Sequence, residues 1–143
     1  MAQGKIYIFN GPNLNRLAYR DSAVYGGQSM EQVMLDVQRA FPNQHFIYRQ
    51  SNHEGDLIDW LQQVEAPDAI GVVLNAGGYT HTSIALRDAV AICNVPVVEV
   101  HISNIAVREP FRQISLLTDV CAHSIIGHGT NGYNEAVEWL LNK

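Results

Sequence analysis

The sequence predicts an α/β fold, a three-layer sandwich around a five-stranded parallel sheet in the flavodoxin-like order 2-1-3-4-5. Three observations carry this. Short apolar runs alternate with amphipathic helical stretches along the whole chain. The alternation reads β-α-β-α-β-α-β-loop-β-α, and right-handed crossovers turn it into a parallel sheet with helices on both faces. At 143 residues without internal repeat, linker or low-complexity stretch, the chain reads as one domain, 1–143, large enough to bury a core.

Each element has its own signal. Lys5 to Asn10 reads as a buried strand around the apolar run Ile6 to Phe9. Almost twenty residues of loop follow, up to Ser29. Ser29-Met-Glu-Gln32 has the form of a capping box, and Val33, Met34, Val37 and Phe41 recur at helical spacing until Pro42. His45 to Gln50 is a second strand. The next helix carries Leu57, Ile58, Leu61 and Val64 on one face. Ile70 to Leu74 is continuously apolar, as in a strand buried on both faces. Thr80 or Thr82 is placed to cap a helix running to about Ile92. Val97 to Ile102 forms a fourth strand after Pro96. Ser103 to Asp119 is irregular, with one helical turn near Glu109 to Arg112. Val120 to Ile126 makes the fifth strand, and a closing helix turns Ala136, Val137, Leu140 and Leu141 inward.

Composition narrows the function. A net charge of −5 argues against nucleic-acid binding, which needs a basic stripe. No apolar run approaches the ~20 residues of a membrane span. The start, Met-Ala-Gln-Gly-Lys, has no basic-then-apolar signal pattern, so a cytoplasmic location is expected. Cys93 and Cys121 lack metal or redox spacing and read as two buried thiols. No histidine pair has zinc-binding spacing, and no dinucleotide fingerprint follows the first strand. Neither a metal nor a cofactor is therefore expected.

Four of the nine basic residues, Arg16, Arg20, Arg108 and Arg112, fall in two loop-like stretches. Guanidinium forks concentrated in an acidic protein suit a carboxylate or phosphate, although Asp21 and Glu109 are equally available as partners. The predicted strand order has its switch point between strands one and three, and ligands sit beyond the carboxyl ends of strands there. Asn10 with its loop, Asn75-Ala-Gly-Gly and His101-Ile-Ser-Asn are thus expected to meet. Glu99 lies two residues before His101, so both point to one side of a strand and form an acid–base pair. His81 and Asp88 are seven residues apart, on one helical stripe with Ile84, Ala85 and Ile92. An aspartate on an apolar stripe calls for a substrate hydroxyl, an arginine or a neighbouring subunit. Asn75 and Gly77 offer amide and backbone donors.

The loop Asn10–Tyr25 holds three asparagines, two arginines and two tyrosines, and loops this long in a compact domain are usually functional. A tyrosine serves as a base only if its pKa of ~10 falls a long way. One cation at ~4 Å, at an effective dielectric near 20, is worth about 4 kcal/mol. Spacing permits such a couple between Arg20 and Tyr25.

Together, Phe9-Asn-Gly-Pro-Asn-Leu-Asn, Arg20 with Tyr25-Gly26, Gln50-Ser-Asn-His-Glu-Gly, Asn75-Ala-Gly-Gly with Thr80-His-Thr-Ser, Arg87-Asp88, and Glu99-Val-His-Ile-Ser-Asn with Arg108-Glu109 and Phe111-Arg112 resemble type II 3-dehydroquinate dehydratase. The resemblance runs in order over essentially the whole chain. It implies reversible anti elimination of water from 3-dehydroquinate through an enolate, without metal or cofactor, in the shikimate pathway or in quinate breakdown. By resemblance Tyr25 is the base, Arg20 holds it as tyrosinate, and His101, set by Glu99, protonates the leaving hydroxyl. Asn13 polarises the carbonyl or holds the water that does. Asn75, Gly77, His81, Asp88, Arg112 and the Ile102-Ser103 backbone grip the substrate. The resemblance also implies a homo-oligomer, a dodecamer built from trimers, with Asp88 reaching toward a neighbour's site. The chain departs from the family's common pattern at Ala106, where histidine is frequent, and at Asp21-Ser22, where a Glu-Pro pair is frequent. A non-catalytic module binding a small anion or a flavin on the same fold is the alternative class.

Overall fold

Side-chain alternation along the strands creates two cores, one on each face of the sheet. In the computed structural model, which describes residues 4–143, β1 (Lys5–Asn10) turns Ile6 and Ile8 to one face and Phe9 to the other. The strands β2 (Phe46–Gln50), β3 (Ala69–Asn75), β4 (Val97–His101) and β5 (His123–Ile126) complete a parallel sheet in the order β2-β1-β3-β4-β5. This is the predicted order. The reading of the N-terminus rests partly on residues 1–3, outside the described residues. Among the described residues, no helix is long and apolar enough to cross a membrane.

Four α-helices lie between the strands of the described residues, α1 (Ser22–Tyr25), α2 (Met30–Ala40), α3 (Glu54–Gln63) and α4 (Ile84–Ala91), and α5 (Gly132–Asn142) follows the last strand. Met30, Val33 and Val37 of α2 join Tyr133, Ala136, Val137 and Leu140 of α5 over Ile6, Ile8, Val73, Val98 and Val100. Leu57 and Leu61 of α3 join Leu86, Ala89 and Val90 of α4 over Phe9, Val72, Leu74 and Val97. Burying a side chain of this size is worth about 1.5–3 kcal/mol, so these two stripes dominate the fold's stability. The Ser29 cap is as predicted, its hydroxyl accepting from Gln32 N at 3.2 Å.

Several expectations are corrected. The long opening stretch is not all coil: a 3-10 segment, Leu14–Tyr19, and α1 interrupt it, because Leu14 and Leu17 reach the core. Neither Thr80 nor Thr82 caps α4. A 3-10 turn, Gly77–His81, takes up Thr80 and ends at Thr82, and Ser83 caps by accepting from Leu86 N at 2.9 Å. His81 therefore precedes the helix. The stripe with Ile84, Asp88 and Ile92 faces outward, since Leu86, Ala89 and Val90 occupy the side against the sheet. Leu141 is exposed, and Tyr133 joins Ala136, Val137 and Leu140 on the buried side of α5 instead. Cys93 and Cys121 are only half-buried.

The register brings three strand ends level. Asn10 pairs with Asn75 across β1 and β3, and Leu74 with Glu99 across β3 and β4. The loops beyond press together: Gly11 N donates to Asn75 O at 2.8 Å, and a Cβ on Gly11 would lie 2.5 Å from the Ala76 carbonyl oxygen. Gly77 adopts φ +58, a left-handed conformation that disfavours any side chain. Gly11→Ala must drive the two backbones apart, and a loss of about 1–3 kcal/mol of stability is expected. Urea denaturation of the variant measures it; an unchanged midpoint would show that the loops yield freely.

Candidate active site

The cleft beyond these strand ends encloses about 380 Å³ of non-protein space, part of it open to solvent. Nine of the twelve expected site residues line it: Arg20, Tyr25, Asn75, Gly77, His81, His101, Ile102, Ser103 and Arg112. Glu99 stands directly behind His101. Asn13 and Asp88 are exposed and off the lining. Asn13, at φ 70, is held through its backbone N, which donates to Asn52 Oδ1 at 3.0 Å.

Tyr25 closes α1. Asp21 caps that helix by accepting from Ala23 N at 3.0 Å, so the Asp21-Ser22 pair performs a local structural task here. The phenol is only 8% exposed. Its Oη accepts from Arg20 Nη2 at 2.5 Å and from Arg108 Nη1 at 2.6 Å. The Arg20 guanidinium carbon also lies 3.8 Å from the ring centroid. The Arg20–Tyr25 couple that spacing permitted is therefore present, and a second cation joins it. Burial lowers the Arg20 pKa; Tyr25 opposes this, while Arg112 and Arg108 push it further down. Three guanidiniums thus crowd one wall of the cleft.

Only part of that charge is balanced. Glu109 Oε1 lies 3.5 Å from Arg108 Nε and 3.2 Å from Arg112 Nε, the second approach without hydrogen-bond geometry. Arg108 Nη1 also donates to Ser103 Oγ at 3.2 Å, tying the loop after β4 to the same cluster. Arg16 stays outside, exposed, its guanidinium over the Tyr19 ring.

The opposite charge is buried behind the imidazole. His101 Nε2 donates to Glu99 Oε2 at 2.5 Å, and the pair is 5% and 1% exposed. Ser115 Oγ donates to Oε2 at 2.5 Å, while Thr118 Oγ1 and Ser124 Oγ donate to Oε1, each at 2.7 Å. Four donors satisfy the carboxylate, and with Nε2 committed, Nδ1 is left for the cleft. His81 Nδ1 donates to the Ile114 carbonyl at 2.9 Å, which leaves Nε2 as the acceptor of the neutral ring. Among the described residues, no group of three His, Cys, Asp or Glu side chains could hold a metal ion.

Comparison with known proteins identifies the family. The family model for dehydroquinase class II matches residues 4–141. A 3-dehydroquinate dehydratase of Azorhizobium caulinodans is 50% identical over 131 residues, covering 90% of this chain and 87% of the relative. One from Rhodopseudomonas palustris is 45% identical over 140 residues, covering 96% and 93%. The crystal structure of a type II dehydroquinase from Butyrivibrio crossotus superimposes with a TM-score of 0.90 at 41% identity, covering 97% of this chain and 98% of that one. The chain belongs to the class II dehydroquinase family.

Sequence reasoning missed part of this dehydroquinase's site. Arg108 was visible as a loop cation, but its bond to Tyr25 spans 83 residues and two loops. Ser115, Thr118 and Ser124 carried no signal, because hydroxyls in an irregular stretch or at an edge strand are common. Burial and nearby Glu99 and Asp119 push the Cys121 pKa up to about 12, and burial raises that of Cys93.

Burial alone would raise the Glu99 pKa, but the bonds from His101, Ser115 and Thr118 prevail and hold it at about 2, against an ordinary 4.5. Between those values the folded dehydroquinase binds fewer protons than the unfolded chain. The stability contributed by Glu99 is therefore complete above about pH 4.5 and is lost as pH falls toward 2. Glu99→Gln is expected to flatten this part of the curve of unfolding free energy against pH. Parallel curves for the two proteins would remove Glu99 from the acid sensitivity.

Proposed function

We propose that this chain catalyses the reversible dehydration of 3-dehydroquinate to 3-dehydroshikimate by anti elimination through an enolate. As a class II dehydroquinase the chain is a hydro-lyase, and the reaction belongs to the shikimate pathway and, by the same chemistry, to quinate breakdown. The observation that carries the mechanism is the convergence of Arg20 and Arg108 on Tyr25 Oη at 2.5 and 2.6 Å. Two charge-assisted donors stabilise an oxyanion far more than a neutral phenol, whose own proton has no acceptor among the contacts of this site. Tyr25, as tyrosinate, removes the C2 proton, and the C–H electrons pass into the carbonyl to form the enolate. The arginines stabilise the charge as it moves. His101, as imidazolium beside Glu99, then delivers a proton to the C1 hydroxyl. The C–O bond breaks, water leaves, and the enolate electrons form the new double bond. No metal or cofactor enters these steps.

Binding follows the donors and acceptors available. Arg112, the Ile102-Ser103 backbone, Asn75 and Gly77 suit the carboxylate and hydroxyl oxygens. His81, with Nδ1 held at the Ile114 carbonyl, has Nε2 left to meet a hydroxyl. Asn13 takes part in carbonyl polarisation only when the loop it sits on closes over substrate, the gating expected of a catalytic lid. The reading includes assembly into a dodecamer of trimers. Ile84 and Ile92, 65% and 70% exposed beside Asp88, support coverage of that face by another copy, which would carry Asp88 toward a neighbour's cleft.

Turnover is followed by the near-ultraviolet absorbance of the enone product. Tyr25→Phe is expected to lower kcat by about 10²–10⁴ while a substrate analogue still binds. A wild-type rate in that variant would sink the tyrosinate mechanism.

A further inference from the structure

A directed hydrogen-bond chain runs beneath the cleft and links four elements of the fold. Asn75 Nδ2 donates to Tyr133 Oη at 3.0 Å, Tyr133 Oη donates to Asn10 Oδ1 at 2.8 Å, and Asn10 Nδ2 donates to Tyr48 Oη at 3.2 Å. Asn10, Asn75 and Tyr133 are buried, with Tyr133 wholly so. A phenol has one proton to give. Tyr133 commits it to Asn10, so its oxygen can only accept from Asn75. That requirement sets the orientation of the Asn75 amide. The other side of the amide agrees, because Asn75 Oδ1 accepts from Gly77 N at 3.2 Å. The carbonyl oxygen and one N–H are engaged, and a single N–H remains for the cleft that Asn75 lines. Burial pushes the Tyr133 pKa up against the smaller effect of its bonds to Asn75 and Asn10, so the group stays a neutral phenol with one donor.

We propose that Tyr133 is a positioning residue for substrate binding, which locks Asn75 as a hydrogen-bond donor toward a carboxylate or hydroxyl oxygen of the ligand. The inference rests on the dehydratase reading for the ligand's identity. It differs from a packing role in a definite way. Tyr133→Phe keeps the ring and its volume but leaves Asn75 Nδ2 and Asn10 Oδ1 without partners. The amide is then free to rotate, and one cleft donor is lost from its place. Packing against Ile8, Val100 and the rest of that core would be unaffected by the same change.

The test is a double-mutant cycle on 3-dehydroquinate turnover with Tyr133→Phe, Asn75→Ala and the pair, each checked for folding by circular dichroism. Y133F is expected to raise KM about tenfold, with kcat within about threefold of wild type. Added to N75A it is expected to change KM by less than about twofold, because the residue it positions is already gone. Equal effects of Y133F in both backgrounds, or a fall in kcat at constant KM, would overturn the proposal. If Y133F does not fold, Asn10→Ala frees the Tyr133 proton without touching Asn75, and the same loss in KM and the same silence beside N75A are expected; additive effects there overturn it equally. Absence of turnover in the wild-type protein would instead refute the dehydratase reading, and this inference with it.

Discussion

Two guanidiniums aimed at one phenol oxygen are the constraint around which the cleft is arranged. Arg20 and Arg108 each approach Tyr25 Oη closely, so their nearest nitrogens lie within about 5 Å of one another. At that separation two positive charges repel by about 3 kcal/mol at an effective dielectric near 20. Arg112 adds to the repulsion, and Glu109 relieves only part of it. The fold tolerates this because the two loops that carry the arginines are fixed elsewhere. Leu14 and Leu17 anchor the first loop in the core; Ile105 and Leu117 are buried on the second. What would relieve the strain is negative charge inside the cleft, on Tyr25 or on a ligand carboxylate. Repulsion held in place by hydrophobic anchors is electrostatic preorganisation for an anion.

The Glu99 end of the site solves the converse problem. A carboxylate at 1% exposure loses its hydration, and four donors replace it. Three of these are hydroxyls that bring no charge. The imidazole of His101 therefore faces an anion held by its surroundings. The cleft thus has a cationic wall that awaits an anion and a buried anion that supports a cation. The positive and negative groups of the site are thus held by different means, the guanidiniums by two loops and the carboxylate by buried donors.

The parts legible in the sequence are those governed by local periodicity and by the topology it implies. Alternation placed all five strands and their order. Period two placed Glu99 beside His101, and the switch point brought the Asn75 and His101 ends together. The remainder depends on choices that periodicity leaves open. Helix α4 is apolar on two stripes, and only packing decides that Leu86, Ala89 and Val90 turn inward while Ile84, Asp88 and Ile92 turn out. The Gly77–His81 turn absorbs Thr80 and ends at Thr82, so the helix starts later. Arg108 finds Tyr25 across 83 residues, and Tyr133 finds Asn10 across 123. Such pairings are set by tertiary geometry between loops and strand ends, where no local pattern carries them.

The two walls of the cleft also differ in how they are held, and this bears on how the site works. One wall is the sheet edge. Asn75 and His101 sit at strand ends, paired in register and tied from below by the polar chain through Tyr133 and by the hydroxyls around Glu99. Buried groups bonded to one another in this way, Asn75 to Tyr133 and Tyr133 to Asn10, are held in place. The other wall is the 11–25 segment, whose helical turns are short and whose Asn13, Arg16 and Tyr19 are exposed. Its firmest polar tie to the rest of the site is the Arg20–Tyr25–Arg108 contact itself. A ligand carboxylate that draws Arg108 toward itself acts directly on that contact. The loop wall is therefore joined to the wall at the strand ends through the same guanidinium that bonds Tyr25 Oη and Ser103 Oγ, so displacement of Arg108 is felt on both walls at once.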